Sequence, residues 1–156
     1  MKGQHSSRHA VNGTILVGIS VILMGLVLVG CGESQLRTTA LTANRTPVVV
    51  DLPTPMHFEL VDELSEDYAA PGWRQVKHSY FGQAAPNVVR DFYKEQMPTA
   101  GWKFISDQNV QGAFHLLFEK AQELCDIRIS KQRRQLKEGA MIAVIIKPVG
   151  GEAEQK

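Results

Sequence analysis

The chain begins with one long apolar run and continues with short periodic stretches. Residues 14–30 carry no charge and are almost entirely apolar, whereas the rest of the chain mixes apolar and polar positions. In that part, apolar residues recur either at every second position, as in a half-buried strand, or at the three-to-four spacing of an amphipathic helix. The pattern therefore predicts a leader followed by a domain of mixed strands and helix.

Five stretches have the period of a β-strand. In the first, Val76, His78 and Tyr80 share one face, and the last, A-M-I-A-V-I-I-K, is apolar on both faces, as is typical of a central strand. The β-branched run at 47–52 indicates a small edge strand or an extended arm. The main strands are predicted at residues 73–81, 102–109, 113–120, 124–131 and 140–147, with residues 135–139 in a connection.

One stretch, residues 86–97, has the period of an amphipathic helix. Pro86 suits the first helical position, where its missing N–H is not needed. Pro98 disrupts the last turn, and Gly101 is suited to the left-handed conformation that ends many helices. The apolar stripe consists of Val88, Val89, Phe92, Tyr93 and Met97.

The order of these elements predicts an α+β fold. One amphipathic helix packed on a four- to five-stranded antiparallel sheet buries both the helix stripe and the inward strand residues. The domain is expected to span residues 47–149, followed by a charged tail at 150–156. The order β-α-β-β-β-β resembles the helix-grip arrangement of some envelope assembly lipoproteins, an analogy that does not transmit function.

The leader has the design of a signal peptide. Lys2 and Arg8 precede the apolar run without any acid, and the run ends in Leu28-Val29-Gly30-Cys31. These four residues resemble the lipobox of bacterial lipoproteins. The resemblance implies removal of residues 1–30 by cleavage between Gly30 and Cys31, and attachment of lipid to Cys31.

Lipidation of this kind implies a diacylglycerol on Cys31 and an acylated amine, with palmitate as a typical chain. Several acyl chains together anchor a protein stably to a membrane. Residues 31–46 are then a flexible tether, and the domain faces away from the cytoplasm in the cell envelope. An Asp directly after the lipidated cysteine would resemble an inner-membrane retention signal. This chain has Gly32 at that position, which favours the outer membrane if one exists. An uncleaved anchor stays open, because about 17 apolar residues are near the minimum for a membrane-spanning helix.

A second resemblance concerns the domain. Tyr80-Phe81-Gly82, Phe92-Tyr93 and Gly101-Trp102 are arranged as in a group of small uncharacterised envelope lipoproteins. The resemblance covers about residues 56–148. It implies a shared fold and brings no catalytic residues.

Charge and cysteine content exclude some classes of function. The chain has 17 Lys and Arg against 16 Asp and Glu, and the domain without its leader is nearly neutral, which gives no argument for nucleic-acid binding. With lipid on Cys31, Cys125 has no partner for an intramolecular disulfide.

Candidate catalytic and metal-binding residues are few. His57, His78 and His115 are widely separated, so no zinc spacing occurs; His78 is expected to be a half-buried or edge residue. Cys125 lies among apolar neighbours in a strand, which favours an inert buried thiol over a nucleophile. We therefore expect no catalytic residue, metal or cofactor; an enzyme that uses Cys125 is the least favoured reading.

The one notable charge feature is a basic run near the C-terminus. Such a run contacts anionic lipid headgroups or an acidic cell-wall polymer, or it is simply a solvated hairpin. Its members are Arg128, Lys131, Arg133, Arg134 and Lys137.

These observations predict a non-enzymatic, membrane-anchored envelope lipoprotein with a binding or assembly domain. Its expected partners are the membrane and an envelope protein or cell-wall component. The alternative is a ligand-binding module for cell-wall or lipid components. In that case the ligand is expected on the open sheet face or in the helix–sheet cleft, where Trp73, Tyr80 and Trp102 are candidate contacts.

Overall fold

The structure, a computed structural model, describes residues 36–150. The predicted signal peptide, Cys31, the start of the tether and residues 151–156 lie outside the described part. Between residues 36 and 150, no helix is long and apolar enough to cross a membrane.

The described residues form an antiparallel sheet of seven strands and one α-helix, which confirms the α+β class. A short 3-10 helix at Asp62–Leu64 lies between β1 and β2. The elements in chain order are β1 (Glu59–Leu60), β2 (Glu66–Ala70), β3 (Trp73–Gly82), α1 (Pro86–Thr99), β4 (Lys103–Val110), β5 (Ala113–Lys120), β6 (Glu123–Arg134) and β7 (Lys137–Pro148).

The prediction of four to five strands, with one strand before the helix, was wrong. Two short strands precede β3, and both pair with it: Leu60 lies opposite Tyr80, and Asp67 opposite Val76. β1 has only two residues, and β2 contains acids that resemble a solvated loop. Backbone pairing with β3, rather than a hydrophobic period, makes them strands.

The strand order places β7 at the centre of the sheet. The order is β1-β3-β7-β6-β5-β4, with β2 also on β3. β7 therefore pairs on both sides. Its apolar residues are buried on the helix-facing side and buried to half-buried on the other face, which agrees with a sequence that is apolar on both faces. α1 connects β3 to β4 on opposite sides of this order and contacts β4, β5, β6 and β7, so the helix crosses one face of the sheet.

The core lies between α1 and this face. Aligned strand residues form buried rows, such as Tyr80, Ile142 and Ile129, whose backbones pair directly. Against them lies the predicted helix stripe, of which Val89, Phe92, Tyr93 and Met97 are buried. Burial of such large side chains contributes about 1.5–3 kcal/mol each, so these rows hold the helix on the sheet.

α1 ends two residues later than predicted, at Thr99 instead of Met97. The helix continues to Thr99 with Pro98 in its last turn, because only one backbone hydrogen bond is lost there. Gly101 has φ +87°, and the Trp102 amide donates to the Met97 carbonyl at 3.1 Å. The left-handed glycine stop is therefore confirmed.

The hairpin between β6 and β7 is longer than predicted. The strands pair as far as Arg134 and Lys137, and only Gln135 and Leu136 form the turn. Both turn residues have positive φ, 48° and 64°, as in the two-residue turns that match strand twist. The prediction missed this extension because its polar residues have no apolar alternation.

Part of the predicted tether contacts the domain. Arg37 forms a parallel bridge with Ala84, and Leu41 and Ala43 pack against the core. Leu41 and Ala43, which lie in a mostly polar segment, are thus partly buried. From Arg37 onward, the segment assigned to residues 31–46 lies on the domain surface.

Candidate ligand-binding site

A cavity of about 200 Å³ lies at one end of the sheet. It is formed where the N-terminal segment (residues 36–58, before β1), β1 and the end of β3 meet the tip of the β6–β7 hairpin. We call this cavity the end pocket. Its lining residues are Arg37, Leu41, Met56, His57, Phe58, Glu59, Leu60, Val61, Phe81, Gly82, Gln83, Ala84, Arg134, Gln135 and Lys137.

The end pocket has an apolar part built around two phenylalanines. Phe81 lies on the sheet face opposite α1, whereas Phe58, which precedes β1, lies on the α1 side and packs against the core, so the two rings line the cavity from different faces at the sheet edge. The Phe58 ring lies so close to Gly82 that a Cβ there would be 2.5 Å from it. Gly82 is therefore needed for Phe58 to occupy this position, and Leu60 extends the apolar surface beside it.

The pocket also has a cationic part. Arg37, Arg134 and Lys137 line it, and Glu59 is the carboxylate among the lining residues. The Arg134 guanidinium donates to the carboxylate of Glu63, and this hydrogen bond lowers the pKa of Glu63. Within residues 36–150, Arg37 and Lys137 form no ion pair, so their charges are available in the pocket.

The structure divides the predicted basic run. Arg128 pairs with Asp126 at 3.3 Å, and Lys131 pairs with Glu138 at 3.0 Å. Arg133 is exposed.

By the strand period and register, Arg134 and Lys137 lie on the face of Phe81, and Lys131 and Arg133 on the opposite face. Two members of the run therefore meet in the end pocket, and Arg37 joins them from the N-terminal segment.

A polar network inside the sheet was missed at the sequence level. His78 is only 2% exposed, although a half-buried position was expected. Its Nε2 lies 2.9 Å from an Asp67 carboxylate oxygen, and its Nδ1 lies 2.8 Å from the Tyr80 hydroxyl. With Nε2–H donating to Asp67, Nδ1 accepts from Tyr80. The network links β2 to β3; the strand period alone had already placed His78 and Tyr80 on one face.

Cys125 lies in the helix-facing core. It is fully buried and forms no disulfide with any residue in the described range, and burial raises the pKa of its thiol far above the ordinary value. A thiol in this state is a poor nucleophile. No group of three or more potential metal ligands occurs among residues 36–150.

The aromatic residues suggested for a cleft do not share one site. Tyr80 and Trp102 are fully buried in the core, and the Trp102 indole donates to the Asp51 carbonyl at 2.7 Å. Trp73 is half-exposed beside Tyr68, with ring centroids 5.1 Å apart, at the other end of β3. The end pocket is thus separate from all three.

The family comparison concerns most of the sheet and the helix. Residues 65–140 match the family model described as START domain-like. The match covers just under half of the chain and runs from the residue before β2 into β7. No curated protein and no solved structure matches the chain. The chain is therefore similar to START domain-like proteins over this segment.

Proposed function

We propose that this protein is a ligand-binding module that holds a small acid with an apolar group in the end pocket, at a membrane of the cell envelope. The observation that carries the proposal is the combination of phenylalanines and unpaired cations in one cavity. The likeness to START domain-like proteins supports ligand binding as the class of function.

The acidic character of the ligand follows from charge. Three cations line the pocket against one carboxylate, and Arg37 and Lys137 have no ion-pair partner in the described chain. A carboxylate or phosphate accepts charge-assisted hydrogen bonds from such groups, which are stronger than neutral ones. A cationic ligand would meet repulsion at the same position.

The apolar group and the size follow from the cavity. Phe58, Leu60 and Phe81 offer apolar surface for burial, which contributes about 25 cal/mol per Å². The cavity is smaller than the roughly 300–1,000 Å³ of pockets for drug-sized ligands. The proposed ligand is therefore a short alkyl acid or the equivalent part of a lipid or cell-wall component.

Attachment to the membrane is part of the proposal. Its support is the sequence Leu28-Val29-Gly30-Cys31 after an uncharged apolar run. Acylated Cys31 at the mature N-terminus, detected by mass spectrometry, is the expected form. An envelope protein or cell-wall partner and a non-enzymatic role stay predictions.

Isothermal titration calorimetry tests ligand binding. Residues 34–156 form one compact unit that contains the whole described core, so this fragment is suitable once its cooperative unfolding is verified. Octanoate is expected to bind about tenfold or more tightly than 1-octanol, because only octanoate pairs with the cations.

The variant Lys137→Glu should weaken octanoate binding by about tenfold or more, since it places a like charge in the pocket. Lys147→Glu is the matched control, because Lys147 is exposed near the other end of β7. Equal affinity for octanol and octanoate, or an equal effect of the two variants, would contradict the proposal.

A further inference from the structure

The tip of the β6–β7 hairpin carries an apolar residue that is exposed to solvent and has an unfavourable backbone conformation. Leu136 is 83% exposed, and both it and Gln135 have positive φ. Two-residue turns of this kind are normally made by Asn and Gly, which adopt this conformation with least strain. Leu136 therefore adds strain and exposed apolar surface, and the described fold buries it against nothing.

Cations flank this residue. Arg133 and Lys137 are exposed and form no ion pair among the described residues, whereas Lys131 and Arg134 are neutralised by acids. An apolar apex between free cations matches an anionic lipid surface, where the apex enters the interface and the cations meet phosphates.

The position of the N-terminal attachment supports the same surface. Arg37 lines the end pocket together with Lys137, so the chain enters the domain at the hairpin end. Cys31 precedes Arg37 by only six residues, which span at most about 20 Å when extended. Attachment through lipid on Cys31, or through an uncleaved anchor ending at Gly30, would keep this end of the domain within reach of the bilayer.

We propose that the hairpin tip, residues 133–137, docks on an anionic bilayer surface next to the N-terminal attachment, with Leu136 in the lipid interface. This inference rests on the membrane attachment in the proposed function. It places the mouth of the end pocket at the lipid headgroups, so that ligand enters from the membrane surface.

The test uses the full chain in lipid nanodiscs. Leu136→Cys is labelled with an environment-sensitive fluorophore. Cys125 is buried and does not compete for the label; an acylated Cys31 cannot react, and in an unacylated chain Cys31→Ser removes the second free thiol. Gln122→Cys is the matched control, since Gln122 is exposed in the β5–β6 turn, roughly 40 Å away along β6 at about 3.3 Å per residue. The discs contain phosphatidylcholine alone or a mixture with phosphatidylglycerol, each with shallow spin-labelled quencher lipids.

In anionic discs, the label at position 136 is expected to be quenched at least about three times as strongly as the label at position 122. The difference should fall in phosphatidylcholine discs and with Arg133→Glu, but persist with Lys147→Glu. Equal quenching at the two positions, or quenching independent of lipid charge, overturns the docking. A chain that does not co-elute with the discs contradicts both the membrane attachment and the docking. Octanoate binding is measured by calorimetry in a separate experiment, so its outcome is independent of this one.

Discussion

Two buried tyrosines of the core differ in how their hydroxyl groups are satisfied. The Tyr80 hydroxyl is hydrogen-bonded to His78, whereas the Tyr93 hydroxyl has no partner among the described residues. Burial raises the pKa of both tyrosines, that of Tyr93 well above its ordinary value. Both stay neutral, so the difference between them is one of hydrogen bonding.

Tyr93→Phe is expected to leave the free energy of unfolding unchanged or to raise it by up to about 1 kcal/mol, because it removes an unsatisfied buried group. Tyr80→Phe is expected to lower it by about 1–3 kcal/mol, since the buried Nδ1 of His78 loses its hydrogen-bond donor while Nε2 keeps Asp67. Urea unfolding of the two variants measures both values. A loss of more than about 1 kcal/mol for Tyr93→Phe would show that its hydroxyl is satisfied after all.

The candidate site shows which residues a sequence reveals. Arg134 and Lys137 are recognisable in the sequence as part of a basic run. Arg37 lies in a polar segment, and nothing in the sequence indicates that it lines the same pocket. Phe58 has the appearance of an ordinary alternating strand residue. Its position depends on close contact with Gly82, a tertiary feature that local periodicity does not contain.

A cluster of charges joins the N-terminal segment to three strands. Asp51 accepts hydrogen bonds from Arg74 at 2.7 and 3.0 Å and from Lys120 at 3.0 Å, and Arg74 also pairs with Glu123. Burial raises the pKa of Asp51, but the hydrogen bonds from Arg74 and Lys120 outweigh it and lower the pKa to about 2. Because this pKa is below the ordinary value of 3.8, the ionised form stabilises the fold.

This stabilisation is complete above about pH 5 and is lost as the pH falls toward 2. Asp51→Asn is therefore expected to lower the free energy of unfolding by about 1–2 kcal/mol at pH 7. The difference from the parent chain should shrink between pH 5 and about pH 2.

Urea unfolding at several pH values gives this difference. Asp91→Asn is the control, because the Asp91 carboxylate is exposed and its pair with Arg90 is long, at 3.3 Å; surface pairs of this kind contribute about 0–1 kcal/mol. A difference for Asp51→Asn that stays constant down to pH 2 would contradict the role given to this cluster.

The main elements were predictable because their signals are local. α1 and five strands show their periods within a few residues, and Pro86 and Gly101 mark the ends of the helix. β1, β2 and the outer part of the β6–β7 hairpin were not predictable in this way. They are strands because their backbones pair with a neighbouring strand, although their side chains show no apolar period. The Gln135-Leu136 turn also lacks the usual Asn or Gly.

At the level of the whole molecule, three features meet at one end. The end pocket, the exposed Leu136 and the point where Arg37 joins the domain all lie at the tip of the β6–β7 hairpin. The other end of β3 holds the exposed Tyr68–Trp73 pair. Under the proposed attachment at Cys31, the short segment before Arg37 would keep this end of the domain, and with it the pocket, near the membrane.

The central claim is that the end pocket holds the acid. Isotope-filtered nuclear Overhauser measurements between octanoate and the labelled 34–156 domain test it most directly. We expect contacts from the octanoate methylene protons to the rings of Phe58 and Phe81. Contacts to the exposed Tyr68–Trp73 pair instead, or no contact to the two phenylalanine rings at saturating octanoate, would contradict the account.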